Sequence, residues 1–392
     1  MPDRKIVIIG GGVVGASVAY HLAERGARDI VLLERADALG AGSTGKATGG
    51  IRAQFETEIN ILLSLYSLEF LKNWDFDCEY DARGYLFLAR DQDQLLYLDA
   101  TRFRQQDLGY DDVYPIDTEA ISAVVPGLNT DDIVGGSFGL RDGFINPLAL
   151  LEGFITGAVS AGTRVVTSTN VESISVDHGR VRNVRTASGT LECDAVVICS
   201  GPWARPIAAT AGVDLPVTPQ RRQIVWAQTE RQLPAGLPMV IDLEDGFHFR
   251  PARDFSFGSN RAGSGYEVLF AYSDRDEGPS ESTEFDEAFV EKVYQRARHR
   301  APFLADSSPV LEKCRAGLYE NTPDHHAIIG GCEVEGLYLA CGFSGHGVMH
   351  SPATGRALSE IILDGEAKFL DVSSLHIDRF ANGRLLRETG FI

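Results

Sequence analysis

The residues that most clearly could do chemistry stand at the start of the chain. Ile6-Val7-Ile8-Ile9 reads as a buried strand, and Gly10-Gly11-Gly12-Val13-Val14-Gly15 follows at once. Ala16, Val18, Ala19, Leu22 and Ala23 then recur at helical spacing, and Ile30-Val31-Leu32-Leu33 is a second strand closed by Glu34. This strand–turn–helix–strand unit holds a dinucleotide diphosphate. Gly10 permits the tight turn, Gly12 lets backbone approach the pyrophosphate, and Gly15 lets the helix lie close on the strand. The free N–H groups of the helix start, with its partial positive charge, face the phosphates. Glu34 is placed to accept hydrogen bonds from ribose. FAD and NAD both satisfy this unit.

Three later segments add to it. Gly40-Ala41-Gly42-Ser43-Thr44-Gly45-Lys46-Ala47-Thr48-Gly49-Gly50-Ile51-Arg52 is dense in small and hydroxylated residues and could follow a cofactor closely. Glu192–Ala204 is a buried strand entering a turn at Ser200-Gly201-Pro202-Trp203. Gly336–Pro352 repeats that plan, with Gly342-Phe343-Ser344-Gly345-His346-Gly347-Val348-Met349 as its turn and Ala353–Leu363 as the helix beyond.

Together these segments resemble the D-amino acid oxidase superfamily of flavoproteins, most of all the branch with sarcosine oxidases, dimethylglycine-oxidising enzymes and the β subunit of dye-linked L-proline dehydrogenases. The resemblance covers nearly the whole chain. It rests on the loop ending Gly49-Gly50-Ile51-Arg52, on Gly84–Leu88, on Thr322-Pro323-Asp324-His325-His326-Ala327-Ile328-Ile329-Gly330, and on residues 342–347. It implies FAD rather than NAD, and oxidation of an amino acid carbon–nitrogen bond. It extends the cofactor candidates to Arg35, Val171 and Gly317.

An amino acid carboxylate calls for a bidentate guanidinium. Arg52 aligns with the carboxylate-binding arginine of sarcosine oxidases. Its other reading is a surface arginine or a partner of Glu56. Arg222 and Arg250, on expected strands, are further candidates, and His248, Tyr266 and Tyr272 could line the pocket. His346 is either a site residue beside the flavin or an ordinary turn histidine. His325 and His326 lie close to the flavin in the family's arrangement.

Three departures bear on function. Gly317 stands where monomeric sarcosine oxidases attach FAD through cysteine, and Cys314 is three residues away, so noncovalent FAD is expected. Met349 replaces a lysine that binds sarcosine's carboxylate, as in proline dehydrogenase β subunits. Leu269 falls at the lysine that activates oxygen, which favours an acceptor other than oxygen. A secondary amine such as proline or an N-methyl amino acid is therefore the expected substrate. The alternatives are deamination of a primary amino acid, or a flavin-binding partner subunit or assembly factor with little catalysis of its own.

Positioning these residues takes an α/β (α+β) fold: a Rossmann-like FAD-binding domain and a substrate domain built on an antiparallel sheet flanked by helices. The resemblance suggests a discontinuous layout, with 1–83, 142–214 and 318–392 for FAD and 84–141 and 215–317 for substrate. Val165–Thr169, Val171–Val176 and Val181–Thr186 alternate like an antiparallel meander, with a turn at Asp177-His178-Gly179. Gln223–Gln228, Gly246–Arg250, Ser256–Gly258 and Val268–Tyr272 read as strands of the larger sheet. Asp274–Glu287 is an acidic loop, either a lid or a solvated connection, before a helix carrying Phe289, Val293 and Ala297 on one face.

The 392 residues carry a net charge of −19, which repels phosphate backbones and argues against nucleic acid. No stretch approaches the ~18 apolar residues of a membrane span, and no secretory leader is legible. Six scattered cysteines without a C-x-x-C pair fit reduced thiols in a cytoplasm and no metal site of the usual spacing. A homo- or hetero-oligomer is compatible with the sequence.

Overall fold

The structure is a computed structural model that describes residues 4–252 and 266–388. Two large sheets organise it. The first is six-stranded, in the order Ile328–Gly331, Leu337–Cys341, Ala195–Ile198, Ile6–Ile9, Ile30–Leu33, Arg164–Val166. Neighbours run parallel except at the Ile328–Gly331 edge. Its central strands are apolar throughout, because a parallel sheet is covered on both faces.

The helix Val13–Glu24 packs on one face against the helices Pro147–Ser160 and Gly347–Asp364. The crossing with the last is close: Ser17 Oγ donates to the Ser351 carbonyl at 2.7 Å, and a Cβ on Gly355 would stand 2.3 Å from Ser17 Oγ. The chain leaves Ile6–Ile9 first toward one side of the sheet and later returns on the other. The crevice at such a reversal is where ligands bind in open α/β sheets.

The second sheet has nine strands among the described residues. Its neighbours are antiparallel except at one place: Met239–Asp242 runs parallel to Tyr85–Ala89. Those strands come from the two separate stretches expected for the substrate domain, so no hairpin constrains their direction. The helix Ala288–Arg300 covers this sheet and buries Phe289, Val293 and Ala297, as its spacing predicts. Ser256–Gly258 lies outside the described residues.

The expected meander is corrected at one strand. Arg164–Val166 joins the parallel sheet beside Ile30–Leu33. Val171–Asp177, Arg180–Thr186 and Gly189–Glu192 form the three-stranded antiparallel sheet instead. Alternation shows that a strand is half-buried but not which sheet receives it. The expected turn is present, with positive φ at both His178 and Gly179. That geometry suits a two-residue hairpin.

Candidate functional site

One cavity of about 680 Å³ runs from the first glycine turn to the second sheet. At one end, Gly10 adopts φ +116°, and a Cβ there would lie 2.3 Å from the Cys199 carbonyl oxygen. The turns after the strands Ile6–Ile9 and Ala195–Ile198 therefore touch. Gly15 lies behind the lining: its Cβ would stand 2.0 Å from the Gly10 oxygen, so it serves the helix–strand contact. Gly12, Val13 and Val14 line the cavity. Thr44 Oγ1 accepts from the Val13 N–H at 3.1 Å and ties the 40–52 loop to the helix start. Glu34 accepts from the amides of Gly11 at 2.7 Å and Ala36 at 2.8 Å while still lining the cavity. It thus anchors the turn as well as facing the expected ribose. Arg35 lies 3.7 Å over the Trp203 ring at this end, near Val171.

The residues present fit a dinucleotide. The start of Val13–Glu24 has no side-chain cap at Gly12, and Ser200 Oγ, on the lining, is buried without a partner among the described residues. An orphaned hydroxyl and the helix-start amides beyond Val13, whose N–H Thr44 takes, call for a polar ligand.

Farther along, Ser43, Thr44, Lys46, Ala47, Thr48, Gly49 and Gly50 form one wall, and Gly201 and Gly317 face it. Two arginines from the second sheet hold that loop. Arg250 donates to the Thr48 carbonyl, and Arg315 donates to the carbonyls of Lys46 at 3.3 Å and Ala47 at 3.2 Å. Arg250 is thus a tether outside the lining rather than a carboxylate ligand.

Arg52, His346 and Arg222 reach the cavity's other end together with His248, Tyr272, Tyr85 and Tyr319. Arg52 is buried at 7% exposure, ruling out the surface reading. Its guanidinium lies 4.0 Å over Phe55 and donates to the Gln54 carbonyl. Asp142 fixes this turn from behind, accepting from the Ala53 N–H at 2.7 Å, Gln54 Nε2 at 2.9 Å and Tyr110 Oη at 2.9 Å. Burial pushes its carboxyl up to about 6 despite those bonds.

The helix Gly347–Asp364 begins at the lining, with no side-chain cap at His346, and Gly347, Val348 and Met349 face the cavity. Its first N–H groups lack intrahelical acceptors. Burial, then the charge of Arg52, hold His346 well below the usual histidine range, so the ring is neutral.

Four expected residues are elsewhere. Tyr266 is 40% exposed and does not line the cavity. The strand that follows it, Glu267–Ala271, meets the cavity at Ala271, roughly 16 Å from Tyr266 at ~3.3 Å per residue. Gly342 and Ser344 lie beneath the lining and shape the turn: the Gly342 N–H donates to Glu320 Oε2 at 3.0 Å, and Ser344 Oγ accepts from the Thr322 N–H at 3.3 Å. His326 belongs to a buried structural network, bonded to Thr57 Oγ1 at 3.0 Å and to the Asp324 carbonyl at 2.6 Å. Sequence reasoning missed Tyr319, Glu320, Met239 and Ile241, all on the lining. Alternation along 315–321 could have pointed to Tyr319. Nothing local marks the others.

Residues 5–361 match the DAO family, FAD dependent oxidoreductase. The chain belongs to this family. It is 30% identical to FAD-dependent oxidoreductase domain-containing protein 1 of Xenopus laevis, over 100% of this chain and 85% of that one. It is 29% identical to mitochondrial dimethylglycine dehydrogenase of Rattus norvegicus, over 96% of this chain but 45% of that longer protein. The crystal structure of L-proline dehydrogenase from P. horikoshii superimposes with a TM-score of 0.88 at 28% identity, covering 98% of this chain and 100% of that one. This family member is therefore an FAD-dependent oxidoreductase, as the glycine turns and the 342–347 segment led us to expect.

Proposed function

We propose that this enzyme oxidises the carbon–nitrogen bond of an amino acid, preferring a secondary amine such as proline or an N-methyl amino acid, with FAD held noncovalently. The observation that carries the reading is a buried arginine, Arg52, in the same cavity as the dinucleotide turns. Two of the relatives are named for proline and dimethylglycine, both amines substituted at nitrogen, which supports the same class. Met349 on the lining supports proline over sarcosine.

When bound, FAD supplies a two-electron acceptor for the hydride leaving the carbon beside nitrogen, so that a C=N bond forms and water can later hydrolyse it. In this reading Arg52 takes the substrate carboxylate as a bidentate pair. Its burial strengthens that contact by excluding competing water. Neutral His346 can accept a hydrogen bond from the amine without adding a repelling charge. The N–H groups at Gly347–Met349 face negative charge that develops in the cavity. Met239, Ile241 and Tyr85 keep water from the reacting bond.

The division into a cofactor domain of 1–83, 142–214 and 318–392 and a substrate domain of 84–141 and 215–317 is part of the proposal. The two-sheet architecture supports it, although the strand Arg315–Asn321 spans a boundary and pairs with Thr218–Gln228 of the second sheet. All six cysteines are free, which supports a reducing compartment such as the cytoplasm. No helix among the described residues is long and apolar enough to cross a membrane.

Anaerobic bleaching of the flavin tests the reading. Proline, sarcosine, other N-methyl amino acids and primary amino acids are added in turn, and bleaching by secondary amines is expected. Readmitting air separates oxygen from another acceptor. A flavin that no amine reduces would shift the function to a flavin-binding partner subunit.

A further inference from the structure

Among the described residues, the substrate end of the cavity holds two guanidiniums that share no carboxylate. Arg52 donates to a backbone carbonyl, and Arg222 donates to the Arg221 carbonyl at 3.1 Å and to Gln220 Oε1 at 3.0 Å. Both sets of acceptors are neutral. The Nε of Arg222 is buried with no acceptor among the described residues.

The nearby carboxylates are engaged elsewhere. Glu277 is held by Arg221 at 3.0 and 3.1 Å, and Asp274 by Lys292 at 2.7 Å. On the Arg52 side, Asp142 is bonded to the Ala53 amide, Gln54 and Tyr110, and Glu388 to the Glu56 amide, Thr57 and Asn60; both feel the Arg52 charge, but neither hydrogen-bonds its guanidinium. Among the described residues, the carboxylates on the cavity lining are Glu34 and Glu320, which face the glycine turns, bonded to the amides of Gly11 and Gly342. Tyr319 lies near both cations: its ring is 5.5 Å from Arg222, and both guanidiniums act on its phenol.

Two like charges in one partly desolvated cavity repel, and burying each is costly unless an anion meets it. One carboxylate answers one of them. We propose that, within the class of nitrogen-substituted amines and in place of proline, the substrate is an amine with two carboxylate-bearing arms, one seated on Arg52 and the other on Arg222. The place of the nitrogen rests on the amine-oxidation reading above, while the two-anion site can be tested by binding alone.

The test uses the FAD-loaded enzyme and two inert thioethers in which sulfur replaces the oxidisable nitrogen: thiodiacetate, with two carboxylates, and (methylthio)acetate, with one. Each is titrated at constant ionic strength, and Kd is read from the change in the visible flavin spectrum. Thiodiacetate should bind about tenfold tighter or better, the gain expected of a second charge-assisted pair. In Arg222→Met the ratio of the two Kd values should fall below about threefold, the loss following from removal of that pair. Arg222→Gln, which keeps a polar side chain, is judged by the same ratio in case the methionine variant does not fold. A wild-type ratio near one, no binding of thiodiacetate, or a ratio unchanged in the variants overturns the proposal. Bleaching by monocarboxylate amines with no two-anion preference would leave the amine reading standing alone. A two-anion preference in an enzyme that no amine bleaches would leave the site standing without that reading.

Discussion

At the scale of single residues, Gly12 is where one side chain is expected to decide cofactor retention. A Cβ there would stand 3.2 Å from Thr44 Oγ1, the atom that accepts from the Val13 amide, and a branched chain would also enter the cavity. Gly12→Val should purify without flavin, read as lost absorbance in the visible; full flavin content would remove Gly12 from the diphosphate site. Arg52→Ala should keep FAD, raise KM and slow flavin reduction by about tenfold or more, the loss expected of a charge-assisted pair; stopped-flow reduction measures it. Cys314 turns its sulfur toward the backbone of Trp226, at 3.4 Å from the nitrogen, while Gly317 faces the cavity. Acid precipitation should therefore release all flavin into the supernatant. Glu320 is raised by burial to about 7 against the amides of Gly342 and Phe343. A carboxyl raised on folding binds its proton more tightly in the folded state, so its stability cost appears as pH rises from about 4.5 to about 7. Glu320→Gln should raise Tm above pH 7 and have little effect near pH 4.5.

At the scale of elements, the helix Glu58–Asn73 is capped from a distance. Thr57 makes no side-chain cap of its own, and Glu388, near the end of the described chain, accepts from the Glu56 amide at 2.7 Å, Thr57 Oγ1 at 2.8 Å and Asn60 Nδ2 at 2.9 Å. A carboxylate there also meets the positive end of the helix. Burial would raise Glu388, but hydrogen bonds from His326, the Glu56 amide and Thr57 outweigh it and hold it at about 2. Because that value is depressed, the stabilisation is present above about 4.5 and is lost as pH falls toward 2. Glu388→Gln should cost about 1–3 kcal/mol at neutral pH. The gap from wild type in chemical denaturation should narrow as pH falls below about 4.5. The loop carrying Arg52 is held in a similar way, by Asp142 behind it and by Arg250 and Arg315 along it. Helix and strand positions were readable from periodicity, but these tethers were not. Asp142 lies 89 residues from the Ala53 amide it accepts, and no local pattern marks such a pair.

At the scale of the molecule, the cavity is walled by both sheets, so a dinucleotide bound there would touch both. A ligand that binds only the folded state stabilises it by about 2.7 kcal/mol at a concentration one hundred times its Kd. FAD-free protein should therefore melt several degrees lower and recover when FAD is added, as differential scanning calorimetry would read. An unchanged Tm would mean that the cavity does not take the cofactor.

The sequence alone determined the dinucleotide unit, because its glycines, helix and closing acid are set by covalent spacing within thirty-odd residues of chain. With the family resemblance it also led to FAD, to Arg52 as a candidate for the substrate carboxylate, and to the helix start beside His346. Tertiary structure decided what depends on which strands meet. It sent Arg164–Val166 to the parallel sheet, left Tyr266 outside the cavity, and made Arg250 a tether. It also brought Arg222 and Tyr319 to the same cavity end as Arg52. Strand patterning fixes which face a side chain takes, but only the packing of one sheet on the other fixes what that face looks onto.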